Sequence, residues 1–382
     1  GLAETPSAEA AKLIVAANGA DSASCGAASS PCRTIGQAIG RAAAGDIIEV
    51  GPGIYGDGNR DGDFLDAGEE AAAIGTGCNC VVHVDKPVTV IARDGAGATV
   101  VDAAAVVGLN VIRVDAADVT IGKRKQGLTL RGGGGDGIAG GAGAARLTVA
   151  GNILLANGAN GLQTSQDGTI VVGNRAIRSH FAGFNVQFDR GLIRDNVAID
   201  CEGNGFLPDC PNLLIGNAAI ANGQDGFGAN GKGCVFKGNV ALGNADIGFD
   251  LGDNNLLTGN VANGNGRGVD LDGSGNVLTK NVVVGNRGVG VLVREGLGTA
   301  VTKNSIYGNH VGTDEVAVLP AANCGVAVAV TDVPLLTQNF WGAATGPGDD
   351  PADAVCLLGM SPEPQVEPVA TKEIKVKVKA AQ

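Results

Sequence analysis

Two stretches of the sequence place side-chain oxygens where they could hold a cation or move a proton. Asp57 to Glu70 reads DGNRDGDFLDAGEE, the most acidic run in the chain. Asp57, Asn59 and Asp61 occupy positions one, three and five of a twelve-residue calcium loop, Asp63 follows, and Gly62 falls at position six, where such a loop turns sharply. Position twelve calls for a bidentate acid, but Gly68 stands there and Glu69 comes one residue late. The spacing predicts a structural Ca2+ held by Asp57, Asn59, Asp61, Asp63 and Glu69; the plainer reading is a solvated acidic loop. The second stretch is a set of acids, Asp250, Asp253, Asp270 and Asp272, with Arg190, Arg267 and Arg294 as basic partners. Asn185, Gln187, Asp189 and Asp209 are candidates to extend the same row. Paired carboxylates beside a guanidinium suit proton transfer or a polar binding face, although outward positions on any water-facing surface are polar by default.

The remaining reactive residues point to structure. His83, His180 and His310 are scattered; His180 with Asp189 invites an acid–base pair, but the two fall on different parts of a turn, so His180 reads as a hydrogen-bonded structural histidine. The motifs G-x-S-x-G, H-E-x-x-H and the phosphate-binding P-loop are absent from the sequence. Nine cysteines lack zinc-type spacing, so they read as disulfides plus one thiol in an oxidising compartment: secreted, at the cell surface, or periplasmic. Cys25/Cys32 and Cys324/Cys356 are the predicted pairs, fastening the two ends. Cys78 and Cys80 lie too close to pair comfortably, and one bridge among Cys201, Cys210 and Cys234 leaves one thiol over.

The elements that must position these groups follow from a repeat. Glycines recur at Gly137, Gly161, Gly183, Gly205, Gly226, Gly248, Gly268, Gly290 and Gly312. Between them run Asn152, Asn174, Asn196, Asn217, Asn239, Asn260, Asn281 and Asn304, and five residues later Asn157, Ser179, Cys201, Asn222, Asn244, Asn265, Asn286 and Asn309. A fixed period in the twenties predicts stacked turns. The asparagines then form a structural ladder, each side-chain amide satisfying backbone at a corner. Hydrophobic residues make up 44%, mostly Ala, Val, Leu and Ile, which predicts a narrow interior of small aliphatic side chains, and aromatics at only 3% count against a sugar-stacking surface. The net charge of −12 argues against nucleic acid as a partner, and no apolar run is long enough to span a membrane.

At the N-terminal end, Ser30-Pro31-Cys32-Arg33-Thr34-Ile35, Ala38-Ile39, Gly45-Asp46-Ile47-Ile48-Glu49-Val50 and Pro52-Gly53-Ile54-Tyr55 resemble the first segment of secreted right-handed parallel β-helix proteins, the superfamily that includes pectate lyases. Asn339-Phe340-Trp341-Gly342 with Thr345-Gly346-Pro347 resembles the closing segment of similar repeat proteins. The resemblance implies an all-β, right-handed parallel β-helix of about 22-residue turns with an N-terminal capping helix. Residues 1–56 would form the strand, cap and first turn, 57–80 an acidic insertion and 81–360 the β-helix. Residues 361–382 would be a Pro-rich linker with a Lys-rich terminal strand. Enzymes of that superfamily bind calcium with carboxylates on such a face, which makes Asp250, Asp253, Asp270, Asp272 and Arg294 the predicted binding row.

The tail alternates apolar residues with lysine through Ile374, Val376 and Val378, a pattern that predicts an extended strand. It can cover the open end of its own β-helix or pair with a neighbouring molecule. The sequence favours a secreted, non-catalytic β-solenoid, a surface, matrix or fibre-forming protein that self-associates through this strand. The alternative is a calcium-dependent polysaccharide lyase or epimerase.

Overall fold

The computed structural model describes residues 10–75, 77–187, 189–229, 231–295, 297–310, 323–329, 332–349, 351–358 and 362–377. The chain divides into two compact units, Gly1–Gly158 and Ala159–Gln382. Both are built the same way: short strands follow one another around a turn, and each pairs in parallel with its counterpart in the next turn, giving three parallel sheets. In the second unit, one turn consists of Val235–Lys237 in the first sheet, Val240–Leu242 in the second and Ile247–Leu251 in the third. In the three-residue strands of the first and second sheets the central residue points inward and its neighbours outward, whereas in those of the third sheet the first and last residues point inward. Thus Phe236 and Ala241 are buried while Lys237 and Leu242 are exposed.

Corners are where a parallel β-helix must satisfy backbone that no sheet pairs. Asn239 shows how. Its Oδ1 accepts from the Asn217 backbone N–H at 2.9 Å, while its Nδ2 donates to Leu214 O at 2.9 Å and to Asn260 Oδ1 at 3.1 Å. The same pattern links Asn174 through Asn304 to Asn339, and a second ladder runs from Asn222 through Asn309 to the buried Asp353. A third, shorter ladder joins Cys234 N–H, Asn255 and Asn276. The residue before each second-ladder asparagine adopts a left-handed backbone, as at Ala221 (φ 53°) and Gly243 (φ 65°). The recurring glycine serves close approach instead: a Cβ on Gly248 would lie 2.5 Å from Gly268 O and 2.9 Å from Asn265 Nδ2.

The interior departs from the small-aliphatic expectation. Phe184, Phe206, Phe227 and Phe249 stack face to face with centroids 4.8–4.9 Å apart, and Phe236 packs edge-on against the last two. Four of the chain's twelve Phe, Tyr and Trp residues form this column, where each stacked pair contributes about 0.5–1.5 kcal/mol beyond burial.

In the first unit the helix Ile35–Arg41 is shorter than its apolar pattern suggests, ending at Ala42. Its first amides are held by Glu70, whose carboxylate accepts from Ile35 N–H at 2.6 Å and Gly36 N–H at 2.9 Å. Burial pushes Glu70 up to about 7 despite those bonds. The disulfides are Cys25–Cys32, Cys78–Cys80, Cys210–Cys234 and Cys324–Cys356, with Cys201 a buried free thiol. The Cys78–Cys80 bridge corrects the expectation from spacing: left-handed Asn79 (φ 44°) lies between the two and their Cα atoms are 5.2 Å apart.

The tail is a second correction. Residues 362–377 contain no ladder strand. They are tied to the last turns of their own unit by Leu336 N–H to Gln365 O, Ala370 N–H to Asn339 O and Ile374 N–H to Ser305 Oγ (2.7 Å). The acceptor for Ile374 is a side chain, so alternation here sets which side chains turn inward without adding a rung. Ile374 and Val376 are half-buried; Val378 lies outside the described residues.

Candidate functional site

The third sheet of the second unit carries the acidic row on its outer face. Aligning turns on the recurring glycine places Gly228, Asp250, Asp270 and Leu292 in one column, with Gly228 paired to Asp250, Asp250 to Asp270, and Asp270 to Leu292. A parallel column holds Ile247 beside Arg267, with Asp225 joined to Ile247 by a 3.1 Å hydrogen bond from the Ile247 amide. Arg294 follows the strand Val291–Val293 and reaches back, placing Nε 3.1 Å from Asp270 Oδ1 and Nη2 2.9 Å from Asp270 Oδ2, while Nε also lies 2.7 Å from Asp272 Oδ1. Arg267 Nη1 lies 3.0 Å from Asp270 Oδ2. Asp270, 1% exposed, is therefore clamped between two guanidinium groups.

Asp250 is different. Among the described residues its carboxylate makes no hydrogen bond or ion pair; the residue is half-buried, with Asp225, Asp270 and Asp272 near enough to act on it. Burial first, then the charges of Asp225, Asp272 and Asp270, push its carboxyl up to about 7, against the pull of Arg267. Burial likewise raises Asp225. An unengaged carboxyl poised near neutrality, next to arginines that can meet an anion, is equipped to take and return a proton.

Of the predicted row, Asp250, Asp270, Asp272 and Arg294 come together. Asp253 does not: its Oδ1 accepts from the Ser274 amide at 2.9 Å in the turn after the strand. Arg190 lies elsewhere, beside Ile170 and Leu213 at the first sheet. Earlier on the same outer face, a cleft of about 460 Å3 is lined by His180, Phe181, Asn185, Glu202, Leu207 and Gln224, among others. His180 Nδ1 lies 2.7 Å from Glu202 Oε2, so its partner is Glu202 and not Asp189. Phe181 is 58% exposed, and Asn185 Oδ1 is buried without a hydrogen-bond partner. Asp225, Phe181 and Glu202 were not singled out from sequence. Setting the turns in register on their glycines would have exposed Asp225, which precedes Gly226 as Arg267 precedes Gly268.

The acidic loop of the first unit is tied mostly to itself. Asp57 accepts from the amides of Arg60 and of Gly62 (2.8 Å), Asp61 from that of Asp63 (3.0 Å), and Glu69 Oε1 from that of Gly58 (2.8 Å). Asn59 Nδ2 donates to Asp61 and Asp66. Glu69 Oε2 is buried with no partner. Among the described residues, one group of three His, Cys, Asp or Glu brings its ligand atoms within 4.8 Å, Asp21 with Cys25 and Cys32, and both of those sulfurs are already joined in a disulfide.

The family described as right handed beta helix region matches residues 206–339. The chain folds as a right-handed parallel β-helix. Among solved structures, this β-helix protein is similar to the A-module of the Azotobacter vinelandii mannuronan C-5 epimerase AlgE4, with 17% identity, 85% of this chain and 91% of that one covered, and a TM-score of 0.57. The AlgE6 A-module from the same organism gives 16% identity, 86% and 91% coverage and a TM-score of 0.60. A pectate lyase, Pel9A, aligns at 14% identity over 95% of this chain and 80% of that one with a TM-score of 0.43. No curated protein matches the chain by sequence.

Proposed function

We propose that this β-helix protein acts on an acidic polysaccharide, as a uronate lyase or epimerase, through the outer face of the third sheet in its second unit. The observation that carries this reading is Asp250: unengaged, half-buried, raised to about 7 and in register beside an arginine-clamped Asp270. Both reactions begin by removing the proton next to the uronate carboxylate. That proton becomes removable when the carboxylate charge is met by a cation, and Arg294 and Arg267 are the cations at hand. Ionised Asp250 takes the proton. Elimination then expels the neighbouring glycosidic oxygen, which takes up a proton from water as it leaves, whereas epimerisation adds a proton from water to the opposite face while Asp250 later releases the one it took. The His180–Glu202 cleft, with exposed Phe181 and the orphaned Asn185 oxygen, supplies a flanking subsite for a further sugar. Similarity to epimerase modules supports the choice of fold for this chemistry.

The regular ladders and lysine tail motivated a non-catalytic structural reading, but they do not account for an unengaged, raised carboxyl. The arginines also alter the calcium-dependent version, because Asp270 is already neutralised by guanidinium groups. Calcium is instead proposed for the Asp57–Glu69 loop, where the orphaned Glu69 Oε2 is an acceptor a cation would satisfy. Chelator should then lower the melting temperature without abolishing turnover, and an unchanged melting temperature contradicts that role. Four disulfides fit an extracellular or periplasmic site; no helix among the described residues is long and apolar enough to cross a membrane.

The test is incubation with mannuronan and with polygalacturonate, following the ultraviolet absorbance of unsaturated uronates and the product's C5 configuration by NMR. Formation of either product supports the reading. A chain that alters neither polymer, with or without calcium, contradicts it.

A further inference from the structure

The first sheet of the second unit shows water an uninterrupted aliphatic column. Ile170, Leu192, Leu213, Val235, Leu256, Val277 and Ala300 are paired in register strand by strand, and Leu335 bridges to Ala300. All eight point outward from strands whose central residues are buried, and Ile170, Leu213, Leu256, Val277 and Leu335 are 36–42% exposed. The neighbouring outward column reads Val172, Arg194, Ile215, Lys237, Thr258, Thr279 and Thr302. A soluble chain does not need an aliphatic residue at every outward position. Scattered exposed apolar residues are ordinary, but a continuous strip marks an interaction surface.

We propose that this face pairs with the same face of a second copy, with the two solenoid axes antiparallel. Three observations select that partner. First, the strip is self-complementary. A two-fold axis through its middle, between Val235 and Leu256, sets Ile170 over Leu335, Leu192 over Ala300, Leu213 over Val277 and Val235 over Leu256, so every facing pair is aliphatic and the large Leu192 meets the small Ala300. Second, the cations agree with that axis. Arg194 and Lys237 both lie in the half nearer Ile170, whereas the other half of their column carries Thr258, Thr279 and Thr302. The antiparallel arrangement puts Arg194 over Thr302 and Lys237 over Thr258, never cation over cation, and lets both columns face themselves, whereas a two-fold along the solenoid axis lets only one of the two columns do so. Third, the size is sufficient. Eight turns spaced by about 4.8 Å, two columns wide, cover about 500 Å2 per copy, or about 1,000 Å2 for the pair, the lower limit for a specific association. The interface closes on two copies and leaves the outer face of the third sheet outside the contact.

Sedimentation equilibrium on the full chain across a wide concentration range tests this. A reversible doubling of mass that stops at two copies is expected. The register is tested with Leu213→Asp and Val277→Lys, both at exposed positions with folding checked by circular dichroism. Each alone should weaken association at least tenfold, and the two together in one chain should restore it, because the antiparallel axis places each new charge over its opposite. Wild-type protein that stays monomeric, including one whose strip takes up a different apolar partner, overturns the proposal without any variant. So do association that grows beyond two copies, single variants that dimerise as well as wild type, and a double variant that is not rescued.

Discussion

The third sheet of the second unit has two faces made by alternate residues of the same strands, and the two obey different rules. Inward, Phe227, Phe249, Val269, Leu271 and Val291 follow the repeat with little deviation, because each must fill the same cross-section as the turn below. Outward, the same strands carry Gly228, Asp250, Asp270 and Leu292, where no packing constraint demands repetition. The repeat therefore reports the scaffold, and the departures from it mark the candidate site. Acids are expected on a water-facing surface, but four acids and two arginines drawn together, with one acid left unengaged, are not.

Substitutions on the two faces should separate cleanly. The largest effect is expected from Asp250→Asn, which should cut turnover of the polyuronate by about 10²–10⁴-fold while leaving the melting temperature at neutral pH equal to or above that of wild type. Phe227→Ala on the inward face should do the opposite, costing about 3–5 kcal/mol in denaturant unfolding by opening a gap in the aromatic stack. If the outward substitution unfolds the chain, or the inward one is silent, the division between site and scaffold is wrong.

The pH dependence sharpens the contrast. Asp250 binds its proton more tightly in the folded chain, up to about 7, than an ordinary carboxyl does when unfolded. The folded state therefore holds more protons between about pH 4 and 7, and stability falls as pH rises through that window. Discounted for partial solvent exposure, the contribution is about 1–2 kcal/mol. Asp250→Asn should remove it, so that the variant loses less stability than wild type between pH 5 and 8. The kcat/KM of wild type should rise through the same region as the carboxyl ionises to a base. The smallest effect belongs to a corner: Ala221 holds a left-handed backbone, and Ala221→Gly should stabilise by about 0.5 kcal/mol, measured by chemical denaturation.

Much of the scaffold was legible in the chain itself. The glycine and asparagine spacings gave the stacked turns, because close approach and corner hydrogen bonding tolerate few other residues. Overall composition hides the stacked phenylalanines, because a 3% share of aromatics does not show that four of them fall at the same place in successive turns. The site was half legible. Asp250, Asp270, Asp272 and Arg294 lie two to four residues beyond their turn's glycine and could be named, whereas the exclusion of Asp253 depends on the turn that points it at Ser274. Asp225 follows from its place before its turn's glycine, whereas Glu202 depends on which outward side chains lean together, which spacing alone does not encode. The tail's alternation correctly separated its half-buried Ile374 and Val376 from exposed lysines, but hydrogen bonding to the Ser305 hydroxyl, set by the fold, decided that it adds no rung.

The most direct test follows the proton itself. Polyuronate treated with the protein in deuterated water should either acquire deuterium at C5 in the recovered polymer or lose that hydrogen in unsaturated ends, and Asp250→Asn should abolish both while remaining folded. Undiminished exchange or elimination by folded Asp250→Asn protein would contradict the account, as would the absence of both from wild type.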